Sequence, residues 1–201
     1  MNRKSLTLLE LIISSVLLSI AIYGISRGSV FFVQQVSANI ERQSIYSQIN
    51  YTLDDLKLRC MGASKPYTIF TPGGTKSSLE FTGAKNIYNI TPDSTSTADK
   101  WCYKYFYQPD KKDPKTGKIS VPGGIILRSC NKCPCSTAGS NDEVLVDDRF
   151  TPTISFQHNS VDEPNFITVT ITAKTNKSSI GGNDNISKSD GLRFWFIYVV
   201  K

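Results

Sequence analysis

Three of the five cysteines fall in one short run, Cys130-Asn131-Lys132-Cys133-Pro134-Cys135, the densest grouping of reactive side chains in the 201 residues. Thiolates at this spacing either join as disulfides or hold Zn²⁺ with a fourth ligand, for which Cys60, Cys102 and His158 are the candidates. The paired C-x-x-C…C-x-x-C spacing of a zinc ribbon is missing, which favours a disulfide-stapled loop and leaves no metal or other cofactor expected. A Cys60–Cys102 bridge tying the end of a helix to a sheet is one option among many pairings, and five thiols making two bridges leave one over. Cys130-x-x-Cys133 is also the spacing of redox motifs, but no βαβ pattern surrounds it. His158 is the only histidine and no G-x-S-x-G occurs, so nothing supports a hydrolytic triad, and the chain does not read as an enzyme. Gly181-Gly182-Asn183-Asp184-Asn185 offers oxygen ligands for Ca²⁺ but lacks the EF-hand order and its closing Glu, and reads as a turn.

A second cluster is electrostatic. Lys111, Lys112, Lys115 and Lys118 share one loop near Tyr105 and Tyr107, an arrangement able to touch nucleic-acid phosphates. Asp110 and Asp113 dilute it. The net charge of +6 comes from 23 basic and 17 acidic residues, with most of the lysines scattered through loops. A solvated face explains that mild excess better than a nucleic-acid partner does.

The third chemical feature is a lone carboxylate, Glu10, inside the otherwise apolar stretch Leu6 to Ile25, directly after the basic leader MNRKS. Twenty residues at about 1.5 Å rise match the ~30 Å hydrocarbon core of a bilayer. A carboxylate near the middle of such a helix costs about 2.5–3.5 kcal/mol, less near its end, so Glu10 calls for a positive partner within the membrane. A signal-anchor helix, or an ordinary secretory signal cut after Ser19-Ile20-Ala21, would gain nothing from a charge there.

The order of leader, Leu6-Thr7-Leu8-Leu9-Glu10 and long apolar helix resembles the class III signal of type IV pilins and type II secretion pseudopilins. In that family a prepilin peptidase cuts before the apolar helix, usually between Gly and Phe, and the fifth mature residue is Glu. The resemblance implies a cut between Ser5 and Leu6, with Ser in the place of Gly and Leu in the place of Phe. It implies methylation of the new Leu6 amine and pairing of that amine with Glu10 of a neighbouring subunit. Implied partners are other pilins or pseudopilins through the N-terminal helix, the prepilin peptidase and the inner-membrane assembly platform. Further on, Trp101-Cys102-Tyr103-x-Tyr105, Ile126-Leu127-Arg128, Val144-Leu145-Val146-Asp147, Phe156 and a closing Leu-Arg-Phe run look like the J-type minor pseudopilin and the W-type minor pilin. That likeness implies a subunit of the tip or initiating complex of a pilus or secretion pseudopilus. A tip adhesin or DNA-capturing subunit is the alternative.

The elements that must position these groups follow from periodicity. Apolar residues continue past the span at Ile45, Ile49, Leu53 and Leu56, at helical steps of four and three. One long helix from about Leu6 to Leu58 is predicted, loosened near Gly24 and Gly28. Beyond Gly62 short β-prone runs alternate with turn residues. The predicted strands are Tyr67 to Phe70, Ser78 to Phe81, Lys100 to Tyr107, Gly124 to Arg128, Asp142 to Val146, Thr151 to His158, Phe166 to Ala173 and Leu192 to Val200. Gln108 to Lys118 reads as a hairpin or solvated excursion and Asn176 to Gly191 as a mobile polar connection. Helix first and strands after gives an α+β fold with an antiparallel sheet. The divisions are residues 1–5 leader, 6–26 membrane span, 27–60 amphipathic helix and 61–201 extracytoplasmic β-rich domain. Arg3 and Lys4 before the span place the N-terminus in the cytoplasm and the chain in the inner membrane as a single pass, and an oxidising exterior suits the cysteines.

Overall fold

The computed structural model describes residues 8–61, 63, 74–84, 100–135, 141–158, 166–175 and 185–194. One helix, α1 (Leu8–Met61), runs through 54 residues, about 80 Å. It stays helical through Gly24 and Gly28, where the sequence predicted loosening. Its buried positions are Ala38, Ile45, Ile49, Thr52, Leu53, Asp55, Leu56 and Cys60, the three-and-four spacing of one packed stripe. Ile45, Ile49, Leu53 and Leu56 are essentially fully buried, and each contributes about 1.5–3 kcal/mol through the apolar surface it withdraws from water.

Among the described residues ten strands follow: β1 (Thr75–Lys76), β2 (Ser78–Ala84), β3 (Lys100–Gln108), β4 (Lys111–Lys112), β5 (Ile119–Val121), β6 (Gly124–Cys130), β7 (Asn141–Asp147), β8 (Thr153–His158), β9 (Phe166–Lys174) and β10 (Asn185–Arg193). They pair antiparallel throughout, as a four-stranded sheet β2-β3-β6-β7, a second sheet β1-β8-β9-β10, and a small β4-β5 ribbon. The α+β class with antiparallel sheets is therefore what the chain adopts. A single core joins the inner faces of both large sheets to the helix stripe: Leu79, Phe81, Tyr103, Tyr105, Ile125 and Leu127 from the first, Ile154, Phe156, Ile167, Val169 and Ile171 from the second.

The alternation read in Phe166 to Ala173 is the packing of β9, with Ile167, Val169, Ile171 and Ala173 buried and the intervening residues half-buried. Four readings need correction or limits. Residues 185–191, expected in a mobile polar connection, lie in β10, paired with β9 from Asn185↔Lys174 to Arg193↔Phe166. Their polar side chains are tied to partners: Ser187 and Ser189 hydroxyls meet Thr172 and Thr170 at 3.1 and 2.8 Å, and Lys188 donates to Asn50 of the helix at 2.6 Å. The expected closing strand Leu192 to Val200 is described only for Leu192, Arg193 and the buried Phe194, of which the first two end β10; its remainder and the run Tyr67 to Phe70 lie outside the described residues. The strand expected from Thr151 begins at Thr153, because a 3-10 turn at Asp148–Phe150 precedes it and Thr151 closes that turn in the left-handed conformation at φ 40°. Gln108 to Lys118 takes the hairpin option: Asp113 accepts from Gly117 N–H through its carbonyl and from Lys115 N–H through its carboxylate, both at 2.8 Å, which closes the tip.

Candidate functional site

Two surfaces carry the sequence-predicted residues. The first is the free arm of α1. Every residue from Leu8 to Gln34 is exposed, including Leu9, Ile12, Val16, Ile20, Ile25, Phe31 and Phe32. Such a surface is unstable in water, and this is the helix among the described residues that is long and apolar enough to cross a membrane. Three of its hydroxyls are bonded within the helix: Ser15 donates to the Ile12 carbonyl at 2.8 Å, Ser19 to Ser15 at 2.8 Å and Ser29 to Ile25 at 2.9 Å. Back-bonding of this kind lets a hydroxyl sit in hydrocarbon without an orphan donor. Arg27, the first basic residue of the described helix, donates to the Tyr23 hydroxyl at 3.1 Å. Glu10 occupies the first turn, where the positive end of the helix dipole favours a carboxylate. Ser5 and Leu6 lie outside the described residues. Burial starts only at Ala38, so apolar exposure extends through Val33 and Val36, past the expected end of the span at residue 26.

The second surface is the outer face of the first sheet, away from the helix. Pairing aligns Glu80 with Lys104, Lys104 with Arg128 and Arg128 with Asp142, one row of charges across four strands. Arg128 grips Asp142 with two bonds of 2.8 Å and lies 4.9 Å over the Phe106 ring; the Asp142 hydrogen bond and charge raise its pKa against the cost of burial. The adjacent row is Thr82, Cys102 and Cys130. There Cys102 is bonded to Cys133 and Cys130 to Cys135. The buried Glu80 carboxylate underlies this knot, accepting from Cys135 N–H, with its Oε1 also 3.3 Å from Cys102 Sγ. Thr82 Oγ1 sits 3.5 Å from Cys133 Sγ.

The Cys60–Cys102 option is not formed. Cys102 faces outward with the knot, whereas Cys60 is packed in the inner core beside the helix stripe and is a free thiol. Burial, reinforced by the nearby Asp55 charge, pushes its pKa well up. His158, a candidate fourth zinc ligand, is buried on β8 in the other sheet. Lys111, Lys112, Lys115 and Lys118 are all exposed on the β4-β5 hairpin, and Asp110 and Asp113 remain with them, Asp110 accepting from Gly123 N–H. Residues 181–184 of the acidic turn fall outside the described residues, and Asn185 begins β10.

Sequence reasoning missed the clamp that fixes the helix to the first sheet. Buried Asp55 accepts both an Nε contact of 2.9 Å to each carboxylate oxygen from Arg59 and a 2.6 Å bond from the Tyr105 hydroxyl. Arg59 also lies 4.6 Å over the Tyr103 ring. Burial alone would lower the Arg59 pKa, but the Asp55 hydrogen bond and the surrounding charges outweigh it and the net shift is upward. The i,i+4 spacing of Asp55 and Arg59 was legible; Tyr105 as third partner required knowing which strand lies under the helix. Compared with protein-family models, curated proteins and solved structures, the chain matches none.

Proposed function

We propose that this chain is a membrane-anchored minor pilin or pseudopilin that assembles at the tip or initiating complex of a type IV pilus or type II secretion pseudopilus. The observation carrying this reading is one unbroken helix divided by partner: an apolar arm, wholly exposed to Gln34, with Glu10 in its first turn, and a second half docked on antiparallel sheets. The exposed arm supports insertion in the inner membrane with the N-terminus inside, and lateral packing against other pilins. Its acid at the fifth position after Ser5 fits pairing with a processed amine at Leu6 of a neighbour. Function then lies in assembly, with the prepilin peptidase and the assembly platform as partners and no catalysis by the chain itself. A DNA-capturing tip subunit would use the same anchor; the four exposed hairpin lysines favour it, while Asp110 and Asp113 beside them weigh against it.

The test is Glu10→Gln with chemical crosslinking to sister subunits. Removing the carboxylate makes insertion easier and deletes the neighbour's counter-charge. Membrane insertion and cleavage are expected to persist while crosslinked incorporation falls. Incorporation equal to that of the unaltered chain would remove the proposed ion pair.

A further inference from the structure

We infer that Cys102, Cys130, Cys133 and Cys135, when reduced, form a tetrathiolate site for one Zn²⁺ on the outer face of the first sheet. The fold, and not the loop spacing alone, supplies the set. Cys102 on β3 and Cys130 on β6 are directly paired and face the same side, and the turn after β6 returns Cys133 and Cys135 over them. Sγ of Cys102, Sγ of Cys135 and a Glu80 carboxylate oxygen lie within 4.8 Å of one another. Since Cys102 is bonded to Cys133 and Cys135 to Cys130, all four sulfurs share one cluster. A tetrahedral zinc with Zn–S bonds of about 2.3 Å holds its sulfurs roughly 3.8 Å apart. The bonded pairs need to open to that separation, and the unbonded Sγ atoms of Cys102 and Cys135 already lie within 4.8 Å of each other.

The surroundings suit such a site. Cys102, Cys130 and Cys135 are buried, and Cys133 is partly covered. Glu80 is occupied in accepting the Cys135 N–H, which orients that ligand, and Lys104 sits 3.7 Å from Glu80, where it offsets that carboxylate's charge. Cys60, on the other side of the sheet, takes no part. The exchange balances. Two equivalents of a dithiol reduce the two disulfides to four thiols and leave as cyclic disulfides, carrying four electrons across; Zn²⁺ then binds with release of four protons. An external disulfide reverses this, taking four electrons in two equivalents and releasing the metal. Zinc thus closes the Cys130–Cys135 loop onto β3 in a chain that no oxidant has yet reached. This inference concerns the globular domain alone and stands apart from the pilin reading.

The experiment uses the full chain in detergent, fully reduced and oxygen-free, with Zn²⁺ quantified after gel filtration and Co²⁺ as the spectroscopic probe. One metal per reduced chain is expected, with the strong visible bands of tetrahedral cobalt thiolate, and none on the disulfide form. Adding an external disulfide should release the zinc in step with loss of four thiols. Cys133→Ser should weaken binding by about tenfold or more, while Cys60→Ser and Glu80→Gln keep one zinc per chain. Circular dichroism of each reduced variant establishes that the sheet persists. Absence of stoichiometric zinc on the folded reduced chain, cobalt spectra without thiolate character, or loss of zinc in Cys60→Ser would overturn the site.

Discussion

At the scale of single residues, Asp55 is the most consequential group in the globular domain. A carboxylate at 8 % exposure is tolerable only because Arg59 and Tyr105 both address it. The two partners are unequal. Arg59→Met leaves the buried charge uncompensated and should destabilise the domain by about 3–5 kcal/mol, whereas Tyr105→Phe removes one hydrogen bond to a charged acceptor, about 1.5–3 kcal/mol. Urea unfolding followed by aromatic circular dichroism orders the two; an equal or reversed ranking would deny the ion pair its leading role. Charged residues like these are legible in a sequence only as patterns. Asp55 and Arg59 share a helix face by spacing, but Glu80 and Tyr105 acquire their roles from strand pairing and helix docking, which no local pattern encodes.

At the scale of elements, β10 shows why a polar segment can be ordered. Its sequence lacks the apolar run of a buried strand, yet Ile186 and Leu192 are buried, and between them Lys188 and Asp190 reach Asn50 and Lys57 on the helix. Those partners lie far away in sequence, which is why the segment read as a loop, whereas β9 declared itself through strict alternation. Burial raises the Asp190 pKa, but the Lys57 hydrogen bond and charge, the Gly191 N–H and Lys188 outweigh this, so the folded value is depressed. A depressed carboxylate stabilises the fold above its unfolded value of about 3.9 and loses that contribution as pH falls through the folded value. Asp190→Asn should therefore cost on the order of 0.5–1 kcal/mol at neutral pH and flatten the acid limb of the stability curve. Parallel acid titrations of both proteins by circular dichroism check this; superimposable curves would mean the clamp contributes nothing. At the start of β6, Gly124 adopts φ +130° and a Cβ there would collide with the Val146 carbonyl across the β6-β7 bulge. Gly124→Ala should destabilise by at least about 1–3 kcal/mol, read as a lowered urea midpoint, and an unchanged midpoint would contradict the tight register seen there.

At the scale of the whole molecule, the long helix joins two environments. Its C-terminal half belongs to the core of the sheets, while its N-terminal half has no core of its own and is apolar on every side. The long apolar helix was legible because a largely apolar stretch of about twenty residues matches a simple length and polarity rule, and its packed half because the stripe repeats at helical spacing. The point where burial begins was not: Val30, Phe31, Phe32 and Val33 are as apolar as the packed stripe yet stand exposed, and burial along the helix begins only at Ala38. Under the proposed function, the exposed apolar arm and its one acid serve insertion, processing and packing beside neighbouring subunits. Intact mass and N-terminal sequencing of the membrane-extracted chain address that claim most directly. The proposed pilin-type processing predicts a mature protein beginning at Leu6, five residues shorter than the sequence; a start at Ile22, or a chain still carrying Met1 to Ser5, would contradict it.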